Sequence, residues 1–365
     1  MKSIAEADRR LQVETNLSLP GVVFRNADAP PFVLYGAAPP DGEHRYQRLP
    51  SGVARGVSEG VQLLATHTAG LRLRFSTDSA YVAIKVRRVG CEPMSHMALA
   101  GQAGFDLYAD YANGSAFVGT FFPDSGRADC YEAVVRLPDR QLRNYTLNFP
   151  LYSPVLELLV GLEEAATVGA GASYKNQPPI VYYGSSITQG GCASRPGNAY
   201  QSIIARQNGI DYRNLGFSGG AKGEDAMVDY LMVQPMSALV CDYDHNAETV
   251  ELLERTHYRL YSRVRAQAPG LPIVLVSRPN FCADSREDIL RRAVIHNTYL
   301  RGVTAGDQKL WYLDGGRLFD SDYADCSTVD GCHPNDFGFV HMAKGIGAVL
   351  RQALAEPDGR NDTKL

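Results

Sequence analysis

Two periods divide the chain. Between residues 71 and 162, apolar and polar positions alternate in short runs: LRLRFS (71–76), YVAIKVRRV (81–89), GFDLYADY (104–111), SAFVGTFF (115–122), YEAVVRL (131–137), NYTLNFPL (144–151) and LELLVGL (156–162). A period of two with turn residues such as PDSG and ANGS between runs predicts strands. Seven of them predict an antiparallel β-sandwich of the jelly-roll kind. The first 60 residues carry no clear period. Residues 168–179, VGAGASYKNQPP, lose periodicity and read as a linker.

Beyond the linker the pattern changes. Short apolar runs, PIVYYG (179–184), DYRNLGF (211–217), SALVCDYD (237–244), PIVLVS (272–277) and KLWYLDG (309–315), alternate with longer amphipathic stretches. Five βα units in series predict a doubly wound parallel sheet with helices on both faces. The expected domains are therefore 1–170, a sandwich, and 176–365, an α/β domain. A length of 365 residues allows two domains.

Ligands of such sheets sit beyond the carboxyl ends of the strands. The first strand is followed by Ser185 and Ser186, the second by NLGFSGG (214–220), the third by DYDHN (242–246) and the fifth by DGCHPND (330–336). A serine, a glycine turn, an asparagine and an Asp-x-x-His suit acyl transfer. The serine needs an imidazole to take its proton, and the imidazole needs a carboxylate to fix its tautomer. The oxyanion needs backbone or amide donors.

These blocks resemble the SGNH, or GDSL-type, hydrolases. Gly184-Ser185-Ser186 resembles their first block, Gly219 their second, Asn246 their third, and Asp330 with His333 their fifth. The resemblance implies Ser186 as nucleophile, His333 as base and Asp330 as its orienting acid. It also implies an oxyanion hole of the Ser186 N–H, the Gly219 N–H and the Asn246 amide. Two positions depart from the family pattern: Ser185 stands where an Asp is usual, and DHNA replaces Gly-x-Asn-Asp. GFDLY (104–108) resembles the Gly-x-Asp-Leu-Tyr signature of a sandwich that precedes some SGNH esterases. Together the two resemblances imply a carbohydrate acetyl esterase that requires no metal or cofactor.

Other residues have competing readings. Ser218 in GFSGG matches Gly-x-Ser-x-Gly, the nucleophile elbow of an α/β-hydrolase. That reading leaves GSSIT and DHN without a role, so Ser218 is taken as a turn serine. Ser185 reads as a turn or supporting hydrogen bond. His245, beside Asn246, and Arg195, in ASRPGNAY, are candidate substrate contacts. His257, His296 and His341 read as helix core or surface, Trp311 as strand core, and Asp336 as the N-cap of the last helix.

Composition narrows the function without deciding it. Apolar residues make up 45% of the chain, charged residues 21%, and the formal net charge is −4. That charge gives no case for nucleic acid or an anionic membrane. The N-terminal stretch has no apolar core and no run reaches a membrane span, so a cytoplasmic protein is expected. Seven cysteines, an odd number, fit free thiols. Cys326 and Cys332 are near enough in sequence to pair, and no CxxC marks a zinc site. The expected substrate is a short imported sugar bearing acetyl groups, such as a manno- or xylo-oligosaccharide. Sandwich strands offer an edge for a homodimer. An acyltransferase with the same triad, or a non-catalytic glycan-binding protein, are the alternatives.

Overall fold

The structure, a computed structural model, describes residues 17–42, 44–123, 129–176, 178–279, 285–319 and 322–355. The chain divides into two compact units. One holds residues 1–51, 63–173 and 193–197; the other holds 52–62, 174–192 and 198–365. Two short pieces therefore group across a division that otherwise falls at 173/174.

The first unit is an antiparallel sandwich. One sheet has the order β1-β9-β4-β7, formed by Val22–Asn26, Val155–Glu163, Tyr81–Arg88 and Cys130–Arg136. The other has the order β10-β3-β8-β5-β6, formed by Val168–Ala170, Arg72–Thr77, Arg143–Asn148, Phe105–Tyr111 and Gly114–Phe121, with β2 (Val33–Tyr35) added against β3. The period of two is what builds the core. Val82, Ile84 and Val86 of β4 and Leu158, Val160 and Leu162 of β9 face inward. Opposite them stand Leu73 and Phe75 of β3, Tyr145 and Leu147 of β8, and Phe105, Leu107 and Ala109 of β5. The stretch expected to be linker contributes β10, whose three residues pair with β3. Glycine and alanine conceal it, because a backbone ladder needs no side-chain pattern. Three short helices interrupt the strands: α1 (Ser51–Val57) and α2 (Glu59–Ala65), which between them hold the 52–62 piece of the second unit, and α3 (Leu99–Ala103), between β4 and β5.

The second unit has a five-stranded sheet, β12-β11-β13-β14-β15, every pair parallel. The strands are β11 (Ile180–Gly184), β12 (Tyr212–Gly216), β13 (Ala238–Asp242), β14 (Ile273–Val276) and β15 (Leu310–Leu313). Its helices are α4 (Ser186–Gln189), α5 (Tyr200–Asn208), α6 (Asp225–Val233), α7 (Val250–Gln267), α8 (Arg286–Thr304) and α9 (Asp336–Leu354). The three inner strands β11, β13 and β14 are buried throughout, which explains their continuous apolar runs. Trp311 departs from its expected place in the core. It lies on β15, which pairs with β14 at the sheet edge, and is half-buried. The last helix is capped one residue earlier than expected: Asn335 Oδ1 accepts from Phe337 N at 3.0 Å and Gly338 N at 3.1 Å, and Asp336 sits in the first turn, where its charge suits the helix dipole. Among the described residues, no helix is long and apolar enough to cross a membrane.

Candidate active site

Strand order places the site. β11 lies between β12 and β13, so the turn after β11 is flanked by the turns carrying Gly219 and Asn246. β11 ends at Gly184, where a Cβ would stand 2.1 Å from Thr188 Oγ1 and 2.3 Å from the Asp242 carbonyl oxygen. Only glycine lets the chain reverse that tightly. Ser185 then caps the single-turn helix α4, its Oγ accepting from Ile187 N at 3.2 Å, a supporting role. Ser186 is the first residue of α4 and is 9% exposed.

Ser186 Oγ lies 2.9 Å from His333 Nε2, and His333 Nδ1 lies 2.8 Å from Asp330 Oδ2. The carboxylate can only accept, so the ring proton belongs on Nδ1. The Nε2 lone pair then faces the Ser186 hydroxyl. The loop that carries both residues closes on itself. Thr328 bridges to Pro334, and Val329 N donates to His333 O at 2.9 Å. Asp330 Oδ1 accepts from Cys332 N at 3.0 Å and His333 N at 2.7 Å. Burial alone would raise Asp330, but the backbone N–H and ring of His333, with the Cys332 N–H, outweigh it and bring its pKa to about 2.

The oxyanion candidates are already bonded to each other. Gly219 N donates to Asn246 Oδ1 at 3.1 Å, and Asn246 Nδ2 donates to Phe217 O at 2.8 Å. Both partners are backbone groups of fixed polarity, so the amide has one orientation. Its second Nδ2 hydrogen is left over for a ligand. Gly219 has φ +67° with open space where a Cβ would be, so the turn needs glycine for its backbone conformation. The turn holding Asn246 is braced from a distant helix. Arg291 of α8 is 3% exposed and donates to Asp244 Oδ1 (3.2 Å), Asp244 O (3.1 Å) and Ala247 O (2.8 Å).

The remaining candidates fall as follows. Ser218 N donates to Gln189 Oε1 at 3.1 Å, and no hydrogen bond joins Ser218 to His333 among the described residues. His245 Nδ1 lies 3.6 Å from Cys332 Sγ. Burial first, then the charge of Arg278, lowers the His245 pKa to about 3, leaving a neutral ring beside Asn246. Arg195 belongs to the sandwich unit. It donates to Asp106 Oδ2 at 2.9 Å, bonds the Tyr108 hydroxyl and lies 4.0 Å from the Phe117 ring centre. Asp106 is fully buried and also accepts from Asn148 Nδ2 (2.8 Å) and Gly197 N (2.9 Å). The GFDLY signature thus alternates core residues Phe105 and Leu107 with Asp106 and Tyr108, which hold residues 195–197. His257 is buried against Thr298 (2.9 Å), His296 packs on Tyr299 and Tyr312, and His341 meets Phe337 edge-on. Cys326 and Cys332 are both free thiols.

The family model described as GDSL-like Lipase/Acylhydrolase matches residues 177–351. A second model, the GxDLY N-terminus of SGNH-hydrolase-type esterases, matches residues 22–168. Residues 177–351 thus form a GDSL-like hydrolase domain, preceded by its GxDLY companion. Solved structures agree with this GDSL-like architecture over both units. A chain from Bacteroides ovatus described as a GDSL-like lipase is 25% identical, with TM-score 0.81 over 90% of this chain and 98% of its own. A salicylyl-acyltransferase of a tetracycline biosynthetic pathway is 21% identical, with TM-score 0.75 over 93% and 100%. A family two carbohydrate esterase from Clostridium thermocellum, solved with cellohexaose, is 16% identical, with TM-score 0.56 over 78% and 93%. No curated protein matches the chain significantly.

Proposed function

We propose that this GDSL-like hydrolase is a serine esterase that removes acetyl groups from short acetylated sugars. The observation that carries the reading is the Ser186 Oγ to His333 Nε2 contact of 2.9 Å, continued to Asp330. Ser186 Oγ attacks the ester carbonyl carbon as its proton passes to His333 Nε2. The tetrahedral intermediate then expels the sugar oxygen, which takes that proton back, and acetyl-Ser186 remains. Water, deprotonated by His333, attacks the acetyl carbon, and acetate and free Ser186 result. Asp330 stays ionised and steadies the imidazolium.

The oxyanion donors are the Ser186 N–H, the second Asn246 amide hydrogen and the Gly219 N–H. Gly219 N–H rests on a neutral amide oxygen. A developing oxyanion is the stronger acceptor and draws it away. Part of the stabilisation therefore arises only as charge builds, which is what accelerates a chemical step.

The sugar is supported by the fold shared with the carbohydrate esterase, the acetyl group by the resemblance of the site blocks, and His245, beside Asn246, is the proposed contact. Transfer to an alcohol instead of water is the second reading, favoured by the fold shared with the salicylyl-acyltransferase. Acetate release from acetylated manno- and xylo-oligosaccharides, with and without an acceptor alcohol, tests both. Acetate formed at an unchanged rate with acceptor present supports the esterase. A transferred ester in its place supports the transferase, and no turnover of any ester contradicts both.

A further inference from the structure

Directly behind the nucleophile turn lies a carboxyl that the reaction does not use. Asp242 ends β13 and is 1% exposed. Its Oδ2 lies 3.2 Å from Thr188 Oγ1 of α4 and 3.4 Å from the Tyr200 hydroxyl of α5, and those two hydroxyls are 3.5 Å apart. Among the described residues its Oδ1 has no hydrogen-bond partner and no salt bridge reaches it. Asp244, two residues on, takes Arg291 instead, and Arg278 is bound to Asp288.

Three oxygens therefore form a closed triangle whose corners come from β13, α4 and α5. Both hydroxyls can donate to Oδ2, but an ionised carboxyl would also leave an uncompensated charge and a bare Oδ1 in a dry site, which a protonated one avoids. The same residue also holds the turn through its backbone, since the Asp242 carbonyl accepts from Ser185 N at 3.1 Å.

We propose that Asp242 is a positioning residue of the esterase site, a neutral carboxyl that pins α4 through Thr188 and so fixes the hydroxyl of Ser186. The proposal rests on the esterase reading. Burial is the main cause that moves the Asp242 pKa up, to about 8, and the Asp244 charge adds to it. The titratable groups around it are Tyr200 on α5, Tyr182 packed on the Tyr200 ring at 5.6 Å, Cys241 beside it and Asp244. None is a cation that would hold the carboxylate form.

The test compares Asp242→Asn, Asp242→Leu and Thr188→Val in the full chain, using 4-nitrophenyl acetate. Asp242→Leu and Thr188→Val should lose about tenfold or more in kcat with KM little changed. Asp242→Asn keeps a neutral planar donor and should recover kcat to within about threefold of wild type. Wild-type kcat should fall reversibly as pH rises through about 8, and the Asn variant should lack that fall. An Asn variant as slow as Leu, or an alkaline fall kept in the Asn variant, overturns the proposal. An inactive wild type sinks the esterase reading instead, and urea denaturation then decides about Asp242. A folded-state pKa raised to about 8 gives stability that is full below the unfolded value of about 4 and lost as pH rises through 8. Wild type should lose stability relative to Asp242→Asn between those limits; the same pH dependence in both overturns the assignment.

Discussion

Asn246 and Gly219 hold one another across the site: the Gly219 N–H donates to Asn246 Oδ1 at 3.1 Å while the Asn246 amide donates to Phe217 O. One side chain thus shapes the glycine turn and carries the amide hydrogen proposed as an oxyanion donor. Asn246→Ala removes both functions. The expected loss is about 10²–10³ in kcat, with the fold kept, because the turn is also braced by Arg291. Steady-state kinetics on an activated ester check this, and a kcat within about threefold of wild type contradicts it.

Asp330→Asn should change the His333 tautomer, since an amide can offer its NH₂ to Nδ1 where the carboxylate only accepts. Losses of ~10⁴ accompany this change when the acid is buried. The Asp330 side chain is 37% exposed, so water can take part of its place and a loss of about 10²–10³ is expected. In wild type, Asp330 with its pKa lowered to about 2 contributes stability above the unfolded value near 4, lost as pH falls through 2. A carboxylate that titrates by NMR near its ordinary value contradicts the geometry.

Arg291→Met should destabilise the second unit by about 3–5 kcal/mol. The cation is 3% exposed and its partner Asp244 is 1% exposed, so the substitution strands a buried carboxylate and leaves Ala247 O without its donor. Urea denaturation measures it. A change below about 1 kcal/mol would mean that water reaches Asp244.

Much of this was legible from local pattern. Most strands of both units followed their periods of two or continuous apolar runs, and Ser186, Gly219 and Asn246 lay just after strand ends, whereas Asp330 and His333 stand 17 or more residues past β15. What pattern could not carry is long-range partnership. Arg291 is one of several arginines on an amphipathic helix, and nothing in sequence ties it to Asp244 47 residues away. Asp242 reads as a strand-end acid, and its triangle with Thr188 and Tyr200 exists only once three elements pack. β10 was concealed in Gly and Ala, and α1 (SGVARGV) has two glycines that blur any helical stripe.

The most direct measurement is hydrolysis of 4-nitrophenyl acetate by wild type, Ser186→Ala and Ser218→Ala in parallel, with circular dichroism to show that each is folded. Ser186 faces the His333 Nε2 lone pair, whereas Ser218 lies on the glycine turn with its N–H bound to Gln189. The account predicts that Ser186→Ala loses turnover and its acetyl-enzyme burst while Ser218→Ala retains both. A folded, active Ser186→Ala, or a dead Ser218→Ala beside it, would contradict it.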